Sequence, residues 1–90
     1  MSQRIVVAAA EAACPTTTGT ASTFGNATCV RLINNSGTAR LVTVVEEQSG
    51  TVLGSFTMTG NSVEFLQKRS SHCIFAAANT VLGTSVGFTN

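Results

Sequence analysis

Apolar and β-branched residues occur in short runs along the chain, and glycine, asparagine and serine separate the runs. Runs of this length with alternating apolar and polar positions predict strands. We predict seven strands, over residues 4–9, 28–33, 40–46, 51–58, 62–68, 72–77 and 84–89. Residues that tolerate positive φ occur at 34–37, 48–50 and 59–61, which predicts three tight antiparallel turns. The pattern therefore indicates an all-β fold, a small antiparallel β-sandwich or barrel of about seven strands with an N-terminal arm.

Alternation within these strands predicts which side chains face the core, because residues i and i+2 lie on the same face. The residues predicted to point inward are Val30, Leu32, Val52, Gly54, Phe56, Met58, Val63, Phe65, Cys73 and Phe75. Leu66 departs from the alternation because it lies on the face opposite Val63 and Phe65. A partly covered outer face explains that departure.

The N-terminal part of the chain differs from the rest. Residues 14–25 form a connection rich in threonine, glycine and alanine that is long for a compact domain, which predicts an arm or linker. Residues 4–13 begin as a strand, although their alanines also allow a helix that continues to the first proline. The strand at Ile5, Val6 and Val7 either closes the chain's own sandwich or pairs with a neighbouring subunit. The length of the arm favours the neighbour.

A chain of 90 residues has room for one domain, and we predict a single β domain with the N-terminal strand and arm in residues 1–25 and the sandwich core in residues 26–90. Charged residues are 10% of the chain, against roughly 25% in an average soluble domain. The net charge of +1 creates no field that attracts nucleic acid or anionic lipid. The longest apolar run, residues 5–10, is too short to span a membrane. We therefore expect neither a nucleic-acid nor a membrane partner.

Three cysteines at wide spacings match neither a disulfide framework nor a zinc site. They are predicted to be free thiols, with a disulfide between Cys14 and Cys29 as the alternative. His72 and Cys73 are neighbours, but adjacent strand residues point to opposite faces, and the chain has no aspartate to orient the imidazole. The four glutamates form no pattern expected for acid–base catalysis or for a hard metal ion. We therefore predict a protein that is not an enzyme and that has no catalytic residue, cofactor or metal.

Positive charge is concentrated in residues 68–72, KRSSH, at a predicted turn between two strands. Such a turn either docks onto an acidic neighbour or is solvated, and the sequence leaves both interpretations open. Together with the apolar N-terminal strand, this turn forms the candidate interface. The residues of that interface are Ile5, Val6, Val7, Lys68, Arg69 and His72.

Three segments carry a resemblance to a known class of proteins: TCVRLINNSGTA at 28–39, GSFT at 54–57 and SVEFLQK at 62–68. In their strands and turns they resemble small β-sandwich virion proteins of tailed bacteriophages, particularly of phages that infect marine cyanobacteria. The resemblance implies a non-enzymatic structural subunit present in many copies, either a capsid decoration or cement protein or a small neck or tail component. It also implies a location in the virion, and in the host cytoplasm during assembly. The implied partners are major capsid, neck or tail subunits and further copies of the chain.

A carbohydrate- or receptor-binding module is the alternative function, because small sandwiches often bind glycans through their loops. The chain has no tryptophan or tyrosine, the aromatic residues on which sugars usually stack. A neutral surface rich in threonine and an apolar N-terminal strand favour a subunit that assembles with others.

Overall fold

The computed structural model describes residues 4–7 and 10–89, and describes side chains for residues 10–87. The regular elements within these residues are eight strands and one 3₁₀ turn at Thr18–Thr20. The strands are β1 (Arg4–Val7), β2 (Ala12–Ala13), β3 (Cys29–Asn34), β4 (Arg40–Val45), β5 (Val52–Met58), β6 (Val63–Gln67), β7 (Cys73–Ala76) and β8 (Val81–Thr89). The predicted all-β class is confirmed, with seven strands of four residues or more in addition to the short β2.

Two antiparallel sheets form a sandwich. Sheet one has the strand order β1-β8-β3-β6, with β2 also paired to β8, and sheet two has the order β5-β4-β7. Side chains from both sheets meet between them and form the main core: Cys14, Val30, Leu32, Val42, Met58, Ile74, Ala76 and Val81. Full burial of one large aliphatic side chain contributes roughly 1.5–3 kcal/mol, so the hydrophobic effect holds the two sheets together.

Of the three predicted turns, one joins strands that pair with each other. β4 and β5 form a hairpin, and Ser49 between them has a φ of 58°. The turns at 34–37 and 59–61 instead connect β3 to β4 and β5 to β6, which lie in different sheets. Antiparallel pairing at these two turns was a wrong prediction. Tolerance of positive φ allows a sharp reversal, but it does not decide whether the two flanking strands bond to each other.

Residues 14–25 lie against β7 instead of extending away from the domain. Ser22 and Ile74 exchange two backbone hydrogen bonds of 3.0 and 2.8 Å, and the Ala76 N–H donates to the Pro15 carbonyl oxygen at 2.9 Å. The prediction of a free arm is therefore wrong. The segment supplies hydrogen-bond partners to backbone groups along the outer edge of β7. In an exposed edge strand such groups bond to water or to another chain.

The N-terminal strand belongs to the chain's own sheet. β1 pairs with β8 from Arg4 opposite Thr89 to Val7 opposite Val86, and both residues of β2 pair with β8 as well. The favoured alternative, in which this strand joins a neighbouring subunit's sheet, is thus wrong, as is a helix that continues to the first proline. Residues 8–9 of the predicted first strand lie outside the described residues.

The predicted inward face is confirmed for β3 and wrong for β6. Val30 and Leu32 are buried in the core. Leu66 lies opposite Val30 and packs against the core, whereas Val63 and Phe65 point outward. Alternation shows that the two faces of a strand differ, but the position of the other sheet decides which face is covered.

The faces of β7 are also reversed relative to the prediction. Ile74 and Ala76 face the main core, so Cys73 and Phe75 lie on the outer face of sheet two. A second, smaller cluster forms there with a residue of the segment 14–25. Its members are Ala21, Val45, Cys73 and Phe75. This segment therefore covers part of the outer face of sheet two.

A register shift changes the orientation of one predicted core residue in β5. Phe56 packs against the main core and Met58 is buried within it, as predicted. The pairing of β4 with β5 shifts between Val44 and Val45, which places Val52 opposite Val45 on the outer side. Val52 is 58% exposed. The inward assignment of this residue is therefore wrong, because one extra residue in a strand moves the following side chains to the other face.

Candidate docking face

The outer face of sheet one is the candidate functional site. Its described side chains come from three adjacent strands whose register places them side by side. They are Val63, Phe65 and Gln67 of β6, Arg31, Ile33 and Cys29 of β3, and Leu82, Thr84 and Val86 of β8. We call this surface the docking face. The inner face of the same sheet lies on the main core, so the outer face is turned away from it. On this outer face Val63, Phe65 and Gln67 are exposed, whereas Cys29, Thr84 and Val86 are buried.

One end of the docking face is apolar. Ile33 lies between Val63 of β6 and Leu82 of β8, and Phe65 lies in the next row, opposite Arg31. Val63 is 40% exposed and Phe65 is 49% exposed. The solvent-facing side of an antiparallel sheet is normally polar, so these two exposed apolar side chains depart from the usual pattern.

An ion pair crosses the middle of the docking face. Arg31 Nη1 lies 3.4 Å from Glu11 Oε2, and both side chains are partly exposed. Thr84 pairs with Arg31 across the two strands and is buried. An exposed pair of this kind stabilises a fold by about 0–1 kcal/mol, so its main consequence here is that the charge of Glu11 is already neutralised.

The other end of the docking face opens into a groove of about 640 Å³. Strands β3, β6 and β8 bring its lining residues together at this end of the sheet. The lining consists of Thr28, Cys29, Gln67, Lys68, Arg69, Val86 and Gly87. We call it the basic groove, because its charged side chains are a lysine and an arginine.

Lys68 is held in place by backbone carbonyl groups. Its Nζ donates to the carbonyl oxygen of Ala27 at 2.6 Å and to that of Arg69 at 3.3 Å. Burial lowers the pKa of Lys68 below its usual value, and the proximity of Cys73 opposes this shift. In the part of the chain that the structure describes, no carboxylate lies within 4.0 Å of Lys68 or Arg69. The groove therefore presents positive charge that no described carboxylate neutralises.

The structure brings together only part of the predicted interface. Lys68 and Arg69 line the basic groove, whereas the N–H of His72 donates to the Arg69 carbonyl oxygen at 3.0 Å and closes the turn. Val6 and Val7 pair with Gly87 and Val86, so the backbone of β1 runs beside the groove.

Side chains of β1, including that of Ile5, lie outside the described side chains, and the participation of this strand in an interface stays a prediction. The apolar end was missed because Val63 and Phe65 were assigned to the core. The irregular position of Leu66 was the available signal.

The cysteines and the residue types that bind metals are the remaining candidates for chemistry among the described residues. All three cysteines are free and buried, so the alternative disulfide between Cys14 and Cys29 is absent. Burial raises the pKa of Cys14 to about 12, which keeps its thiol protonated at neutral pH. Across residues 10–87, no group of three or more histidine, cysteine or acidic side chains could hold a metal ion.

Comparison with protein-family models, with curated proteins and with solved structures found no match for this chain. The structure adds one finding about membranes: among the described residues, no helix has the length and hydropathy needed to cross one.

Proposed function

We propose that this protein is a non-enzymatic assembly subunit that attaches to a larger structure through its docking face. The exposed apolar end, with Val63 and Phe65 on the outer side of an edge strand, is the observation that supports this function. In the isolated chain about half of the surface of each of these two side chains is left in water. Covering the exposed part of each would stabilise a complex by about 1 kcal/mol.

We propose further that the larger structure is the virion of a tailed bacteriophage. The resemblance of residues 28–39, 54–57 and 62–68 to small virion proteins supports this assignment, and so does the neutral surface rich in threonine. A capsid decoration or cement protein, or a small neck or tail component, binds in many copies. Repetition of a modest contact over many copies gives a stable coat without a strong single interface.

The test is incorporation into particles. The chain should be found in purified virions in many copies by quantitative mass spectrometry. A Val63→Thr/Phe65→Thr variant should fold, since both side chains face outward, and should be lost from particles. Leu41→Thr is the matched control, because Leu41 is 46% exposed but lies on sheet two.

Two results would contradict the proposal. Absence of the wild-type chain from particles would exclude a virion subunit. Unchanged incorporation of the Val63→Thr/Phe65→Thr variant would exclude the docking face as the contact surface. Specific binding of the isolated chain on a glycan array, together with absence from particles, would support the carbohydrate-binding alternative instead.

A further inference from the structure

We propose that the docking face receives an extended segment of a different protein, whose apolar side chains cover the apolar end and whose carboxylates enter the basic groove. This inference rests on the proposed function, because it names the chemistry of the partner that the docking face contacts. Three features of the face lead to it: its uncompensated charge, its lack of fit to a second copy, and its length.

The uncompensated charge lies in the basic groove. Lys68 and Arg69 both line the groove, and no described carboxylate lies within 4.0 Å of either. Lys68 is also half-buried, and two carbonyl oxygens fix the position of its ammonium group. Arg69 is exposed and lines the groove, so a partner carboxylate placed there can pair with it, and Lys68 adds a second, ordered positive charge nearby. Salt screens such pairs, so the ionic strength should affect them.

A second copy of the chain that packs through the same face does not supply the missing negative charge. The carboxylate on its docking face is that of Glu11, which Arg31 already holds at 3.4 Å. Glu64 lies opposite Leu32, a core residue, and therefore points toward the inner side of the sheet. Two docking faces packed against each other would thus leave the cations of both grooves without counter-charges. Charge complementarity favours a partner of another sequence.

The length of the face sets the size of the segment. Val63 at the apolar end and Lys68 in the groove are five positions apart in the sequence. At roughly 3.3 Å per residue, this corresponds to about 17 Å along the strand. An extended segment of about six residues spans that distance, with apolar side chains at one end and acidic ones at the other.

The experiment uses two synthetic peptides of about seven residues, which alternate valine and threonine and end in either two glutamates or two glutamines. The ¹⁵N-labelled full-length protein is titrated with each peptide and followed by NMR. The glutamate peptide should bind about tenfold more tightly, since two partly screened ion pairs of this kind give a factor of about ten. Amide signals of Thr28, Gln67 and Gly87, which line the groove, should shift.

The variant Arg69→Gln should reduce the preference for the glutamate peptide several-fold, while Arg40→Gln should preserve it. Arg40 begins β4 at the opposite end of the sandwich and is therefore the matched control for loss of one positive charge. Raising the ionic strength should weaken binding of the glutamate peptide by the wild-type protein and leave the glutamine peptide unaffected.

Three results would overturn the inference. The first is equal affinity for the two peptides, and the second is the same loss of preference in Arg40→Gln as in Arg69→Gln. The third is a dimer in solution that disappears in the Val63→Thr/Phe65→Thr variant, which would identify a second copy as the occupant. The particle experiment does not depend on these peptides, so the proposed function stands or fails separately.

Discussion

Replacement of Asn34 by alanine tests how the two turns that cross between the sheets are held together. Asn34 ends β3 and has no exposed surface. The two N–H groups of its Nδ2 are shared among three backbone carbonyl oxygens, those of Thr38 at 2.8 Å, Met58 at 3.0 Å and Thr59 at 3.2 Å. One side chain therefore ties the β3–β4 connection to the β5–β6 connection.

The expected loss follows from these contacts. Each hydrogen bond contributes about 0.5–1.5 kcal/mol, and a buried carbonyl left without a partner costs about 1–3 kcal/mol. We expect Asn34→Ala to lower the free energy of unfolding by about 2–4 kcal/mol. That is a large part of the roughly 5–15 kcal/mol that a domain of this size has in total. The corresponding fall in melting temperature is about 10 °C or more.

The assay is urea unfolding followed by far-UV circular dichroism, because the chain has no tryptophan or tyrosine for fluorescence. Asn35→Ala is the matched control, since Asn35 is exposed and the hydrogen bond it donates to Thr80 comes from its backbone N–H. We expect the control to change stability by about 0.5 kcal/mol or less.

A second variant separates hydrogen bonding from side-chain volume. Asn34→Asp keeps the shape of the side chain but replaces the amide that donates to the carbonyl oxygens with a carboxylate, which cannot donate at neutral pH. This variant should therefore be at least as unstable as Asn34→Ala. If Asn34→Asp were as stable as the wild type, or if Asn34→Ala cost no more than Asn35→Ala, the reasoning about this side chain would be refuted.

Two further predictions concern buried positions. The pKa of Cys14 is about 12 in the fold against 9.0 when exposed, so stability should fall as the pH rises from 9 toward 12, by up to about 4 kcal/mol. Urea titrations in reductant should show this alkaline loss in the wild type and in Cys29→Ala, but not in Cys14→Val. A Cβ at Gly83 would lie 2.6 Å from the Phe24 ring, so Gly83→Ala should lower stability by about 1–3 kcal/mol. Thermal melts should show part of that loss recovered in Gly83→Ala/Phe24→Leu, and an unchanged melt for Gly83→Ala alone would contradict this packing.

The positions of the strands could be predicted from the sequence because the β-branched runs are local signals. The β4–β5 hairpin and the inward side of β3 follow from the same signals. Pairing between distant segments could not be predicted, because it depends on contacts far apart in the sequence. The docking of residues 14–25 onto β7 is such a case, since its hydrogen bonds join Ser22 to Ile74. A composition rich in threonine and glycine gives no indication of which sheet edge will bind it.

The candidate site could be predicted only in part. Lys68 and Arg69 were identified because they concentrate charge in a chain that has little of it. The apolar end was missed because one face of β6 carries two apolar residues, Val63 and Phe65, and the other face carries one, Leu66. The face with more apolar residues is normally the buried one. In the fold, Leu66 alone supplies the apolar contact from β6 to the core. Neither a register nor a covered face is encoded within a single strand.

The orientation of β6 bears on function. A strand of a free-standing sandwich reduces its energy by turning its larger apolar pair inward, and a shift of one position in the register would do so for β6. β6 instead buries Leu66 and leaves Val63 and Phe65 at 40% and 49% exposure. Departures of this kind between local pattern and fold are expected at sites that bind something. The exposure of Val63 and Phe65 is therefore the observation on which the proposed covering surface depends, and the basic groove at the other end of the docking face sets the charge that we propose for that surface.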